Sequence, residues 1–186
     1  MNGTSNPSTT HSSAGGPVDG DAAFRRLSQP VPQEFDIRIA ADGCWYHEGG
    51  LIGRHALVRL FSSVLRREDD GSFWLVTPVE RGRIEVEDAP FVITGTVITG
   101  DGEGQTVSFR TNVDDEMELG SDHPLVMRRP AGGGKDQRPY VLVRDGLEAL
   151  VARPVFYELA ERSVTGPDGR LGVWSRGAFF ALEGEA

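Results

Sequence analysis

Arginine supplies nearly all of the positive charge in this 186-residue sequence, because 18 of the 19 basic residues are arginine and only Lys135 is lysine. Arg54 and Arg153 each stand at the start of an amphipathic stretch, where the backbone N–H groups and the dipole of a helix favour an anion. A planar guanidinium also binds phosphate or carboxylate through two parallel hydrogen bonds. The two arginines therefore predict a site for a small anionic, phosphate-bearing ligand, with pairing to a carboxylate of the protein as the alternative.

Aromatic and polar side chains near these arginines extend the predicted site. Trp45 and Trp174 are suited to stack a nucleobase, with a place in the hydrophobic core as the alternative. His47 is either a ligand contact or an ordinary hydrogen-bonded side chain, and Arg59 either binds or lies on a solvated helix face. The predicted ligand-binding residues are Trp45, His47, Arg54, Arg59, Thr77, Arg153, Tyr157 and Trp174.

The motifs of metal sites and of nucleophilic enzymes do not occur in the sequence. The four histidines and the single cysteine form neither a CxxC nor an HExxH pattern, so no metal is predicted. The glycine run at 132–134 is followed by Lys135 and Asp136, whereas a phosphate-binding P-loop has Ser or Thr after its lysine. Without a G-x-S-x-G elbow no catalytic residue and no cofactor is predicted, and a hydrolytic enzyme is the least favoured function.

Negative charge is concentrated in one segment. Between Glu85 and Asp122 ten acidic residues face a single base, Arg110, so this segment carries the whole formal net charge of −9. Non-specific nucleic-acid binding is not expected, because it requires clustered positive charge. The acidic segment supports an alternative function, a protein-interaction module that presents an acidic face (residues 85–122) to a basic partner.

The start of the chain differs in composition from the rest. Of the first 20 residues, 15 are Asn, Gly, Thr, Ser or Pro, and such a stretch buries too little apolar surface to offset its ordering entropy. We expect a disordered tail at 1–22, an N-terminal α+β domain at 23–82 and a β-rich C-terminal domain with one main helix at 83–186. No signal peptide and no apolar run of roughly 18 residues is present, so a cytoplasmic location without membrane contact is expected.

Two helices stand out among the predicted elements. In the first, Leu57, Leu60, Phe61, Val64 and Leu65 form an apolar stripe opposite His55, Arg59, Ser62 and Arg66, and the helix is predicted to end at Arg66 and Arg67. The second begins at Arg153 and Pro154 and is predicted to bury Val155, Phe156, Leu159 and Ala160. A short helix is predicted at 22–27, and strands at 37–39, 44–47, 73–77, 84–86, 91–99, 106–111, 125–128, 140–144, 171–175 and 178–182.

The order of these elements repeats. A strand, an Asp-Gly turn, an Arg-led helix, a second Asp-Gly turn and an aromatic strand occur twice, with Arg54 and Arg153 99 residues apart and Gly71 and Gly169 98 apart. This spacing predicts an internal duplication of a strand hairpin–helix–strand unit. Two such units would leave a cleft where they meet, and clefts of this kind commonly bind ligands.

Several of these strings are similar to a known family. The matching segments are 45–54 (WYHEGGLIGR), 57–61 (LVRLF), 73–80 (FWLVTPVE), 84–91 (IEVEDAPF), 111–115 (TNVDD), 123–125 (HPL) and 153–157 (RPVFY). They resemble the bacterial family of unknown function DUF1285, over the chain from about residue 35 to its end. The resemblance implies a two-domain α+β fold with an internal duplication and a pleckstrin-homology-like C-terminal β-barrel plus helix. It carries no established activity; it implies a non-enzymatic protein of ligand binding or signalling, with a nucleotide-like ligand between its domains.

Overall fold

Six short strands form the first sheet. The computed structural model describes Met1 and residues 31–184. In the first strand, Ile37 and Ile39 are buried and Arg38 between them is not, the period-two alternation that the sequence predicts. The strands are β1 (Pro32–Ile39), β2 (Trp45–His47), β3 (Gly50–Leu51), β4 (Leu65–Arg67), β5 (Phe73–Val76) and β6 (Arg81–Val86). Their order is β3-β2-β1-β6-β5-β4, with β1 and β6 parallel and the other neighbours antiparallel.

The first helix, α1 (His55–Ser63), is shorter than the sequence predicts. The predicted end at Arg66 and Arg67 is wrong, because the chain leaves the helix at Val64 and residues 65–67 form strand β4. Leu65 lies opposite Leu75 of β5 and is fully buried. Helical spacing alone cannot show whether residues 65–67 continue the helix or form a strand. The burial of Leu65 in the sheet decides for the strand, because it outweighs a local helical preference.

The faces of α1 also differ from the predicted ones. Val58 and Ser62 are buried, whereas Leu60, predicted to be apolar core, is 60% exposed. The predicted stripe includes residues 64 and 65, which are not helical, so it does not coincide with the buried face of α1. Ser62 is accommodated inside because its Oγ donates a hydrogen bond to the carbonyl of Arg59, at 2.8 Å.

The second sheet also has six strands and follows a short linker. They are β7 (Phe91–Thr99), β8 (Thr106–Thr111), β9 (Glu116–Glu118), β10 (Leu125–Arg128), β11 (Arg138–Arg144) and β12 (Leu147–Val151), in the order β10-β11-β12-β7-β8-β9. Strands β12 and β7 are parallel and the other neighbours antiparallel. The predictions at 91–99, 106–111 and 125–128 are confirmed to the residue, while the short strands β3, β4, β9, β12 and β13 were not foreseen.

The second helix and a small third sheet complete the chain. Helix α2 (Arg153–Glu161) starts at the predicted Arg153–Pro154 pair, with proline at its second residue where the first was predicted. It buries Val155 and Leu159, whereas Phe156, predicted to be buried, is half-buried. Ala160, predicted to be buried, is exposed, because it lies one position beyond Leu159 on the helix. The third sheet has the order β13-β14-β15, with β13 (Val164–Thr165), β14 (Leu171–Ser175) and β15 (Ala178–Ala181).

The described part of the chain is mostly β, with two helices and curled sheets that include a half-barrel. The order hairpin, helix and three antiparallel strands occurs twice, as β1–β2, α1 and β4–β6 and again as β11–β12, α2 and β13–β15, but only the first copy has an additional short strand, β3, between its hairpin and its helix. The copies close differently, since β6 pairs with β1, whereas β13–β15 form a sheet of their own. Residues of both large sheets, among them Ile39, Leu65, Phe91 and Leu147, share one hydrophobic cluster.

Two predictions fall on residues that the structure does not describe. The tail at 1–22 and the short helix at 22–27 lie outside residues 31–184. The predicted boundary between 82 and 83 stays a prediction, and strand β6 spans it as a member of the first sheet.

Candidate functional site

The chain passes from the first sheet to the second at residues 87–90, and we call the contact of residues 31–89 with residues 90–184 the domain seam. Asn112 is central to it. Its Oδ1 accepts the N–H of Val92 at 3.0 Å, and its Nδ2 donates to the carbonyl of Gly43 at 3.1 Å. The carbonyl of Asn112 lies 3.1 Å from Nε2 of His55, at the start of α1. One side chain thus fixes the first hairpin against the second sheet.

Arg144 makes a second connection across the domain seam. Its Nη1 pairs with Asp115 at 2.6 Å, and its Nη2 donates to the carbonyl of Ser62, the buried serine of α1, at 2.9 Å. The guanidinium also lies 5.0 Å from the centre of the Phe91 ring. The segment 111–115, which carries part of the family resemblance, therefore holds the seam together.

A buried carboxylate lies in the linker itself. Both oxygens of Asp88 accept the hydroxyl of Tyr140, at 2.9 and 2.7 Å, and Oδ1 also accepts the N–H of Ala131 at 3.1 Å. Arg128 and Arg138 approach the carboxylate to 3.8 and 3.9 Å. Burial, and then the hydrogen bond to Asp88 and its negative charge, raise the pKa of Tyr140 above its usual value.

A cavity of about 540 Å³ lies beside this carboxylate, between the two sheets. It forms because β5 starts at Phe73, opposite Ile84, while β6 continues to Val86 beyond that pair. The far wall comes from β10 and the β11–β12 hairpin of the second sheet. The charged residues that line this seam cavity are Arg67, Arg83, Glu85, Asp88, Arg128 and Glu148.

The charges of the seam cavity are unequally paired. Arg128 is held by Glu148 at 2.7 Å and lies 3.5 Å from the centre of the Tyr140 ring, so its charge is already matched. Arg67 donates one bond to the carbonyl of Gly146 at 3.1 Å and packs over a phenylalanine ring. Within residues 31–184, neither Arg67 nor Arg83 has a carboxylate in ion-pair distance. The charge of Arg83 acts on Asp70 beyond ion-pair distance and contributes to the lowered pKa of that carboxyl, after the hydrogen bonds from Ser72. Neither guanidinium of the pair is engaged by a carboxylate hydrogen bond, so both can bind an anion.

The predicted aromatic contacts lie elsewhere. Trp45 is 1% exposed and its ring stacks on Phe61 with 6.2 Å between centroids, so it is a core residue, the alternative that the sequence left open. Trp174 is half-buried in the third sheet, edge-on to Phe179 at 5.4 Å. Neither tryptophan lines the seam cavity.

The two helix starts are not brought together in one cavity. Arg153 and Tyr157 line a separate cavity of about 570 Å³ beside Phe156, and Arg54 is not among its lining residues. Arg54 is exposed at the residue before α1. The helices differ in their neighbours, since α1 meets the loop at Asn112 while α2 packs on β7 and β14.

The other three predicted residues have local contacts. His47 is exposed in β2, opposite Ile37 of β1. Arg59 lies 3.7 Å from Asp114, which also approaches His55. The hydroxyl of Thr77 accepts the N–H of Glu80 at 3.0 Å, which shapes the turn between β5 and β6. The structure shows turn and surface contacts at these positions.

Sequence reasoning missed the arginines of the seam cavity. The sequence predicts Arg67 at the end of a helix and Arg128 at the end of a strand, and it assigns no binding role to Arg67, Arg83 or Arg128. The alternation at 81–85 (RGRIE) was a signal that arginines share one strand face. The sequence does not show that β6 and Arg128 line the same cavity, because their positions depend on the pairing of strands that are far apart in the chain.

The acidic residues of 85–122 lie on several elements. Glu85 is in β6, Asp101 and Glu103 are at the 3₁₀ turn Gly102–Gly104, and Glu116 and Glu118 are in β9. Their use as one interaction face stays a prediction. In the described residues no helix is long and apolar enough to cross a membrane, and no group of three or more His, Cys, Asp or Glu is arranged to hold a metal ion.

Comparisons with known proteins agree with the two-part organisation at the domain seam. The N-terminal domain of DUF1285, a domain of unknown function, matches residues 28–89, and the C-terminal domain of the same family matches residues 90–182. A comparison with curated proteins finds no match.

Solved structures from two organisms are similar to this chain. A DUF1285 family protein from Silicibacter pomeroyi DSS-3 is 44% identical, with a TM-score of 0.76, and the match covers 84% of this chain and 85% of that one. A DUF1285 family protein from Shewanella baltica OS155 is 24% identical, with a TM-score of 0.53 over 69% of this chain and 92% of that one, a likeness of fold alone. With both family domains matched in order, this chain belongs to the DUF1285 family.

Proposed function

We propose that the protein binds a small anionic ligand in the seam cavity. The observation that carries the proposal is the pair Arg67 and Arg83, which line the cavity and have no carboxylate within ion-pair distance among residues 31–184. Guanidiniums bind phosphate and carboxylate oxygens through charge-assisted hydrogen bonds. This keeps the class of ligand that the sequence predicts and its place between the domains, and assigns the binding to different arginines.

The dimensions of the seam cavity suit a nucleotide-sized molecule. Its volume of about 540 Å³ falls within the range of small-molecule sites, about 300–1,000 Å³. Phe73 contributes an aromatic wall next to Arg67. A ligand here would touch both domains, so its binding would strengthen their association. On this physical basis we also propose the signalling role that the family resemblance implies.

Isothermal titration calorimetry with inorganic pyrophosphate and with AMP tests the proposal. We expect Arg67→Ala and Arg83→Ala each to weaken binding at least about tenfold, because each removes hydrogen bonds to a charged group, of about 1.5–3 kcal/mol. Arg162→Ala is the matched control: it removes the same charge from an exposed position that does not line the seam cavity.

Two outcomes contradict the proposal. One is no binding of either probe by the unaltered protein. The other is binding that both seam variants leave unchanged but that Arg153→Ala or Arg54→Ala abolishes, which would return the site to the helix starts.

We also propose the duplication and the pleckstrin-homology-like C-terminal barrel as features of the fold. The recurring order of hairpin, helix and three strands supports the duplication. Superposition of residues 32–86 on residues 138–181 tests it: a duplication requires the hairpins and helices of both segments to coincide with one rotation, and separate rotations for the two would contradict it.

A further inference from the structure

The seam cavity contains an acidic group with no partner as well as its two arginines. Glu85 is exposed in β6, two residues after Arg83, and lines the seam cavity as well as a neighbouring cavity of about 290 Å³ beside Arg38. Its neighbour across the sheet is Arg38, but Arg38 pairs with Glu87 instead. Within residues 31–184 the Glu85 carboxylate has no ion pair and no side-chain hydrogen bond.

Arg83 and Glu85 do not neutralise each other. Residues two apart in a strand point to the same face, yet no ion pair joins these two side chains. An unpaired carboxylate beside two unpaired guanidiniums is complementary to a ligand that carries an anion at one end and N–H donors at the other. A carboxylate only accepts hydrogen bonds, and it can accept two parallel N–H groups through its two oxygens.

We infer that Glu85 selects the ligand of the seam cavity by accepting a paired N–H edge, as presented by the N1–H and the 2-amino group of guanine. This inference rests on the proposed function, since the phosphate of such a ligand would lie at Arg67 and Arg83. Adenine has no such pair of donors on one edge, because its 6-amino group lies next to the N1 acceptor. An adenine base would therefore leave one oxygen of the Glu85 carboxylate without a hydrogen bond. Sites built to bond a particular donor reject analogues that lack it.

Titration calorimetry with GMP and AMP, on the unaltered protein and on Glu85→Gln, tests the inference. We expect GMP to bind at least about tenfold more tightly than AMP, and Glu85→Gln to bring the two within about twofold. Glutamine keeps the shape but replaces one acceptor oxygen by an N–H₂ donor. Glu116→Gln, which makes the same charge change at an exposed position of β9, should preserve the preference.

The outcomes separate this inference from the proposed function. Equal binding of GMP and AMP, with both weakened by Arg67→Ala, overturns the role of Glu85 and leaves the anion site intact. A Glu85→Gln variant that changes both affinities by the same factor overturns it as well, because the carboxylate then acts only through its charge. Phosphoethanolamine, bound as tightly as GMP, would show that a single ammonium suffices and would overturn the paired-donor chemistry. Failure of GMP, AMP and pyrophosphate alike overturns both proposals.

Discussion

Removal of one hydroxyl from Tyr140 would test how the linker between the domains is held. Tyr140 is fully buried, and its hydroxyl donates to the carboxylate of Asp88, which is itself buried. Tyr140→Phe keeps the ring, and with it the packing of the Arg128 guanidinium 3.5 Å from the ring centre. The substitution therefore isolates the hydrogen bond.

The expected loss of stability follows from the charge of the acceptor. A hydrogen bond to a charged group contributes about 1.5–3 kcal/mol. The N–H of Ala131 still reaches Asp88, and two arginines remain within 4 Å, so the carboxylate keeps part of its stabilisation. We expect the free energy of unfolding to fall by about 2 kcal/mol, which for a chain of this size lowers Tm by roughly 4–8 °C.

The effect of Tyr140→Phe should also depend on pH. The pKa of Tyr140 is raised in the folded state, whereas in the unfolded chain it is about 10. Above pH 10 the unfolded chain loses this proton first, so the unaltered protein loses stability as the pH rises. The variant has no such proton, and the difference between the two proteins should shrink between about pH 10 and pH 11.

Urea unfolding monitored by circular dichroism at pH 7.5, 10 and 11 measures both effects. Tyr157→Phe is the control, because Tyr157 is 61% exposed and its hydroxyl has no hydrogen bond within residues 31–184; it should change stability by less than about 0.5 kcal/mol. A Tyr140→Phe variant as stable as the unaltered protein, or a difference that stays constant to pH 11, would refute the reasoning.

Three further perturbations address the seam, the first sheet and the single cysteine. Asn112→Ala removes two hydrogen bonds to backbone groups and should lower the unfolding free energy by about 2–4 kcal/mol in urea titrations, whereas Asn112→Asp keeps one acceptor and should lose less. Gly82→Ala would place a methyl group against the ring of Phe35 in β1 and should lower the free energy of unfolding by about 1–3 kcal/mol in the same assay. Gly53→Ala is the control, because the space around Gly53 is open, and it should not destabilise the protein. Burial, and also Asp42, raise the pKa of the Cys44 thiol, so its alkylation by iodoacetamide at pH 7.5 should be slower than that of free cysteine; an equal rate would contradict this.

Elements with local signals could be predicted from the sequence. The Asp42-Gly43 turn marks the first hairpin, the β-branched run at 91–99 becomes β7, and Pro154 marks the start of α2. In each case the deciding interaction lies within a few residues. The family resemblance rested on such segments, and both family domains confirm it.

Features that depend on distant contacts could not be predicted. Leu65 has the spacing of a helical residue, but its pairing with Leu75 makes it part of a strand. The sequence places Asn112 just after a predicted strand and gives it no partner. Only the folded chain shows that its side chain donates a hydrogen bond to the carbonyl of Gly43, 69 residues away. The seam cavity has the same origin, because Arg67 and Arg128 meet there only after both sheets have formed.

The central claim, an anion site at Arg67 and Arg83, is tested most directly by the side-chain Nε–H resonances of the arginines in a ¹⁵N-labelled sample titrated with pyrophosphate. We predict that the signals of Arg67 and Arg83 shift together and saturate, with the backbone amide of Gly146, while those of Arg54 and Arg153 stay in place. Shifts confined to Arg153 and the start of α2, or no shift of any arginine signal, would contradict the account.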